Sequence, residues 1–332
     1  MPSSVDQPVD PFRHLSPIMT RRGVRCNASD FQGSVNVAFH RFESEFYDEF
    51  HRDMWESLPP QFSLFAEDCR QAWKPLPQQI RMLDIGCGTG LATDSLLKSS
   101  LGPAITQIDL LDTSSAMLGQ AQKRSQSWNR PTTCHEGLLH TLPSGKQYDL
   151  IVTCSVLHHV PDLADFARNV RRLQADKGVF LHLQDPNGDH LNDPQLKERT
   201  AQASSSVTAS VKSFTDRALR RLRFEITGKR SGEADVINRT NQELMSAGII
   251  QSPMTIAEVY AITDIHVQDG EGISIVQMKQ WLPDYDLVSQ RSYGFFGELW
   301  YDLPAKLRPL EEDFIARKEQ NGFHVGAAWK LR

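Results

Sequence analysis

Between Arg81 and Leu183 short apolar runs alternate with amphipathic stretches, the pattern of successive βα units around a parallel sheet. It predicts strands at Arg81–Ile85, Ile105–Leu111, Thr132–His135, Tyr148–Cys154 and Gly178–Leu183. Helices are predicted between them at Leu91–Ser99, Ser114–Ser127 and Asp162–Leu173. Parallel strands joined in sequence cross over in the right-handed sense, so helices cover both faces and a ligand sits beyond the carboxyl ends of the strands. Residues 79–185 are the expected ligand-binding core.

The flanks follow other patterns. Residues 1–30 hold proline, serine and arginine without an apolar period and predict a flexible tail. Residues 31–78 are read as a helical cap. Within it Phe39, Phe42, Phe46, Tyr47 and Phe50 fall mostly three and four apart, which predicts a helix ending before Pro59, and a second helix, Phe62–Trp73, stops at Pro75. After Asp185 the alternation ceases. Residues 186–284 read as an inserted lid, with a Ser-rich stretch at Ala203–Ser213, a basic helix near Arg217–Glu225 and a capping box at Thr255–Glu258. Residues 285–332 carry β-rich segments at Tyr285–Phe296 and Phe323–Leu331 around a predicted helix, Leu303–Lys318, and complete the sheet with an antiparallel edge.

Charge and composition narrow the partners. The 332 residues include 36 Lys and Arg against 41 Asp and Glu, a net charge of −5, so no general positive field gathers a polyanion and nucleic acid is not an expected partner. Apolar runs such as Ile151–Leu157 fall far short of the ~20 residues that cross a bilayer, so no membrane partner is expected either. The first residues lack a basic start followed by an apolar stretch. The five cysteines are odd in number and hold no C-x-x-C pair, and both features point to a cytoplasmic protein with reduced thiols.

The most informative stretch is Arg81–Leu97, where Asp84, Gly86, Gly88 and Gly90 lie between a predicted strand and a predicted helix. Glycines let the backbone turn tightly and come close to a ligand. A nicotinamide fingerprint spaces its glycines G-x-G-x-x-G to receive a pyrophosphate, whereas this loop reads D-x-G-x-G-x-G, and no G-K-[ST] follows. The acid ahead of the glycines suits an ammonium group and would repel a pyrophosphate.

The run LDIGCGTG resembles the first motif of the class I, Rossmann-like S-adenosylmethionine-dependent methyltransferases, and later segments follow in that family's order. Asp112–Leu118 (DTSSAML) is similar to its D-x-S-x-x-M-L segment, Gly137–Pro143 to the stretch beside the adenine, and Tyr148–Asp162 to the fourth strand and its turn. The resemblance implies an α/β fold with a seven-stranded, mostly parallel sheet, S-adenosyl-L-methionine as cofactor and methyl transfer to a small molecule. It assigns the ribose hydroxyls to Asp112, with Asp109 as the rival. Further cofactor contacts are implied at Tyr47, Asp84, Gly86, Cys87, Gly88, Gly90, Thr113, Met117, Gly137, Leu138, Leu139 and Cys154. Many relatives have aspartate where this chain has Leu138, so its adenine contact is apolar.

His158 and His159 follow the fourth strand within reach of the expected methyl group and are the candidate proton acceptors. Asp185, Tyr293 and Phe295 are expected at the acceptor. His182, Asp185, Asp189 and His190 crowd the end of the fifth strand, but no second half of a metal site is visible and none is expected. The acceptor is expected to offer an O, N or C nucleophile, within specialised metabolism. The alternatives are a cofactor-binding fold used for cyclisation or as a regulatory subunit, and, less favoured, protein or RNA methylation.

Overall fold

Ile80–Ile85 form the central strand β1, buried at every position but Arg81, because a parallel strand with neighbours on both sides and helices on both faces never meets water. The computed structural model describes residues 10–209, 230–267 and 271–332. The predicted basic helix Arg217–Glu225 lies outside them, as does part of the Ser-rich stretch. β1 pairs in parallel with β2 (Ile105–Asp112) and with β4 (Tyr148–Cys154). β3 (Thr132–Glu136) continues one side and β5 (Gln174–Pro186) the other. β7 (His324–Leu331) runs antiparallel to β5, and β6 (Tyr285–Tyr293) antiparallel to β7. The resulting order, β3-β2-β1-β4-β5-β7-β6, reverses between β1 and β4, where a doubly wound sheet opens its crevice.

Helices α5 (Leu91–Leu97), α6 (Ser115–Ser125) and α7 (Leu163–Leu173) make the crossovers. Ser114 caps α6 by accepting from the Met117 amide, and Asp162 caps α7 by accepting from the Asp165 amide. Successive strand residues point to opposite faces, so Met82 joins the apolar cluster that holds Phe62 and Phe65, while Leu83 joins the one that holds Phe180 and Trp329.

The cap departs from its predicted form. Instead of one helix over Phe39–Phe50 and another from Phe62, the chain forms α2 (Ala28–Glu43), the single turn α3 (Tyr47–Phe50) and α4 (Arg52–Ala72). Pro59 and Pro60 sit inside α4. Prolines there forfeit amide bonds, but Met54, Leu58, Phe62 and Phe65 are buried along one continuous face, and that packing carries the helix through them.

The expected flexible tail is also partly ordered. Ser16–Arg22 is helix α1, with Leu15 and Ile18 buried. Arg21 and Arg22 reach Glu258 at 3.1 and 2.6 Å, a partner too distant in sequence for any local pattern to reveal.

The insertion between β5 and β6 supplies α8 (Pro194–Ala209), α9 (Arg230–Ser246), α10 (Ile256–Thr263) and α11 (Ile275–Trp281). The capping box at Thr255 and Glu258 opens α10. Phe31, Val35 and Phe39 of α2 share one apolar cluster with Val236, Leu244, Val259 and Ile262, so the N-terminal helices and the insertion form a single roof. α12 (Arg308–Ala316) is shorter than predicted.

Candidate cofactor and acceptor site

The glycine loop turns at the carboxyl end of β1 with φ of +62° at Gly86 and +53° at Gly88, a backbone that side chains resist. A Cβ on Gly86 would lie 2.5 Å from Val156 Cγ2, whereas one on Gly88 would meet nothing within 4 Å and would project into open space. Asp112 ends β2 opposite the loop. Its Oδ2 accepts from the Gly88 amide at 2.9 Å and its Oδ1 from the Ser114 amide at 2.8 Å. Both oxygens are held while each keeps lone pairs for a further donor, which suits two vicinal hydroxyls. Burial raises the Asp112 pKa, and the two amides act against it. Its rival Asp109 is spent on a buried cluster, accepting from the Tyr148 hydroxyl at 2.6 Å and from Lys146 at 2.7 Å.

Gly86, Gly88 and Asp112 border a cavity of about 1070 Å³, which Tyr47, Thr113, Met117, Gly137, Leu138, Leu139, Cys154, His158 and His159 also line. Leu138 is 55% exposed, an apolar face left open for a flat ring. Asp84, Cys87 and Gly90 do not line this space. Asp84 is buried under the loop; its Oδ2 accepts from Thr93 at 2.7 Å and its Oδ1 has no hydrogen-bond partner among the described residues. Burial pushes its pKa up to about 7. Such an orphaned carboxylate oxygen fits a cationic neighbour.

At the far end His158 and His159 form a one-turn helix after β4. His158 Nδ1 lies 2.8 Å from Asp185 Oδ1. That contact depends on a bulge: pairing of β5 with β7 shifts between His182 and Asp185, and Gln184 takes a φ of +67°. Asp185 thus reaches the site through His158 rather than by lining the cavity. Burial lowers the His158 pKa and outweighs Asp185. Burial also opposes the charged form of His159, but its ion pair with Asp264 at 3.2 Å prevails and raises the pKa.

Two expected acceptor contacts lie elsewhere. Phe295 packs with Phe296 and Leu303 in a separate apolar cluster, and Tyr293 is buried beneath the sheet's end with its hydroxyl unpartnered. β6 packs against α4 and α12, so Tyr293 joins the core cluster of Phe62 and Phe65, while Phe295, just beyond the strand, packs on Phe314 of α12. The crowded set at β5 splits: His182 and Asp185 stay together at 3.9 Å, while Asp189 accepts from Ser274 and His190 pairs with Asp193 at 3.8 Å.

Residues not anticipated complete the roof. Glu43 accepts from His40 and from His51 at 3.0 Å each. Burial raises its pKa, but these two bonds overcome it and bring it down to about 2. Gln32 donates to the His159 carbonyl at 3.1 Å, and Asp264 comes from the insertion. The three-residue spacing of His40 and Glu43 on one helix was the readable hint; Asp264 left none.

Fold and site together define a doubly wound α/β domain with a cavity at the carboxyl ends of β1, β2 and β4. Residues 83–180 match the family model described as a methyltransferase domain. The ubiquinone biosynthesis O-methyltransferase of Caulobacter sp. (strain K31) is 29% identical over 104 residues, 31% of this chain and 39% of that protein. The malonyl-[acyl-carrier protein] O-methyltransferase of Halorhodospira halophila is 31% identical over 102 residues, 30% of this chain and 33% of that protein. Highly reducing polyketide synthase 40 of Fusarium pseudograminearum is 29% identical over 118 residues, 33% of this chain and 5% of the synthase. The chain thus spans well under two thirds of each. Among solved structures, the plantazolicin methyltransferase BpumL aligns with a TM-score of 0.48 at 12% identity, covering 92% of this chain and 98% of that one.

Proposed function

We propose that this chain transfers the methyl group of S-adenosylmethionine to a small molecule, and that it does so in the cytoplasm. The observation that carries the reading is Asp112, held by two amides at the rim of the cavity that the glycine loop opens. In this reading Asp112 accepts the ribose hydroxyls, and the bare backbone of Gly86 and Gly88 admits the amino-acid end. Asp84, with Cys87 and Gly90 supporting the turn, gives up its proton beneath the ammonium when the cofactor binds, because a nearby cation lowers a carboxyl pKa. Leu138 and Leu139 take the adenine by apolar contact, while Tyr47, Thr113, Met117, Gly137 and Cys154 complete the wall.

When bound, the sulfonium supplies the driving force for an in-line displacement, so the residues of the chain chiefly align the acceptor and exclude water. His158 and His159 act on the acceptor's proton, with Asp185 orienting His158. Oxygen methylation named for two relatives, and polyketide synthesis named for a third, support a hydroxyl or carbon nucleophile of specialised metabolism. The lining contains no lysine or arginine among the described residues, which favours such an acceptor over nucleic acid.

Methyl-labelled cofactor incubated with the chain and a panel of phenols, enols and amines tests the reading. Label recovered in a small molecule supports it. Label in protein or RNA, or cofactor binding without any transfer, overturns it.

A further inference from the structure

Two histidines and an aspartate meet at the acceptor end of the cavity, and their surroundings suit a cation. His158, His159 and Asp264 each offer a ligand atom, and the three atoms lie within 4.8 Å of one another. His158 is oriented through its other nitrogen: its Nδ1 faces Asp185 Oδ1 at 2.8 Å, and because a carboxylate accepts, Nδ1 carries the hydrogen and Nε2 keeps a lone pair, the arrangement of imidazoles that ligate metals. His159 Nδ1 lies between the Thr263 carbonyl at 2.9 Å and Asp264 Oδ1 at 3.2 Å, so an ion held by His159 and Asp264 replaces the proton of their ion pair. The turn itself is clamped, since the His266 amide donates to the His158 carbonyl at 3.2 Å and Gln32 holds the His159 carbonyl. The cavity around this cluster is lined by seven carboxylates and five histidines, with no lysine or arginine among the described residues.

We infer that His158, His159 and Asp264 hold a divalent first-row transition-metal ion, and that this ion takes the oxygen of the acceptor. The inference rests on the methyl-transfer reading and sharpens it to acceptors bearing a hydroxyl or enol. Ligand atoms ~2.1 Å from one ion lie at most ~4.2 Å apart, so the insertion closes on the turn by on the order of 1 Å when the ion binds. Two imidazoles and one carboxylate leave coordination positions open. The two histidines then act on the acceptor's proton through the ion and not as bases: a hydroxyl bound there loses its proton to solvent at a lower pH than it would in water. The oxygen then attacks the methyl carbon; the C–O bond forms as the C–S bond breaks, and the electron pair stays on sulfur as a neutral thioether. His159 and Asp264 also form an ion pair that could latch the insertion without any metal, and the experiment separates the two roles.

Chelator-treated chain without an affinity tag is titrated with cobalt(II) chloride while visible absorption is recorded, and S-adenosylhomocysteine affinity is measured on the same samples. The expected result is one cobalt per chain with a ligand-field band. His159→Gln and Asp264→Asn each bind cobalt more than ~10-fold more weakly, Asp185→Asn binds it ~10- to 100-fold more weakly, and all three keep their S-adenosylhomocysteine affinity. No band in the unsubstituted chain, or unchanged cobalt affinity in either ligand variant that folds, overturns the metal site while the cofactor reading stands. Failure of the unsubstituted chain to bind S-adenosylhomocysteine instead overturns the reading beneath it, and with it the acceptor half of the inference.

Discussion

The two ends of the cavity are built in opposite ways. At the cofactor end the partners lie close in sequence or on adjacent strands: Gly88 meets Asp112 across the β1–β2 pair, and Asp112 meets Ser114 two residues on. At the acceptor end His159 meets Asp264 and Thr263 from the insertion and Gln32 from α2, partners more than 100 residues away. On the proposed reading, the difference teaches that the cofactor seat belongs chiefly to the sheet, whereas the acceptor seat exists only while the roof is docked.

Substitutions at the two ends should therefore fail differently. The largest effect is expected from Gly88→Val. Its side chain enters the cavity without meeting protein atoms, so calorimetry should detect no S-adenosylhomocysteine binding, while left-handed backbone strain costs only about 1–2 kcal/mol of stability. Next comes His158→Asn at the other end, which should lower turnover about 10²- to 10⁴-fold with cofactor affinity unchanged; a parallel loss of affinity would refute the division. Asp112→Ala should weaken the cofactor by about 1–3 kcal/mol, roughly 5- to 150-fold, with the fold intact by circular dichroism.

Smaller effects test the supports. Asp84 has a folded pKa of about 7, above its ordinary 3.8, so the folded state holds the extra proton. Its contribution to stability is complete below about pH 4 and is lost as pH rises to about 7. Glu311, also raised to about 7 by burial, slopes the same way. Thermal unfolding of Asp84→Asn should show a shallower decline over that range than the parent, and an identical decline would remove Asp84 from the account. Last, Glu258→Gln unclips Arg21 and Arg22 from α10 and should cost at most about 1 kcal/mol, seen as earlier proteolysis near Ser16 with cofactor affinity unaltered.

Much of this was legible in the order of residues. β1, β2, β4 and β5 announced themselves as apolar runs, and the D-x-G-x-G-x-G loop and DTSSAML segment marked the proposed cofactor seat, because backbone turns and strand ends depend on neighbours a few positions away. The roof was less legible. Pro59 read as a stop and lies inside α4, and the tail read as loose while Leu15 is fully buried, since in both cases the stabilising contacts come from remote segments.

Periodicity and glycine spacing thus defined a parallel α/β domain with a ligand loop after β1, and the resemblance of its motifs supplied the expected cofactor. Only the folded chain decided which polar groups face the acceptor. Phe295 went to a core and Asp264 to the pocket, although nothing in their local patterns distinguishes them. The reason is physical: a residue's propensity acts through its own backbone, but burial and hydrogen bonding belong to pairs, and a pair 100 residues apart exists only after the chain has closed upon itself.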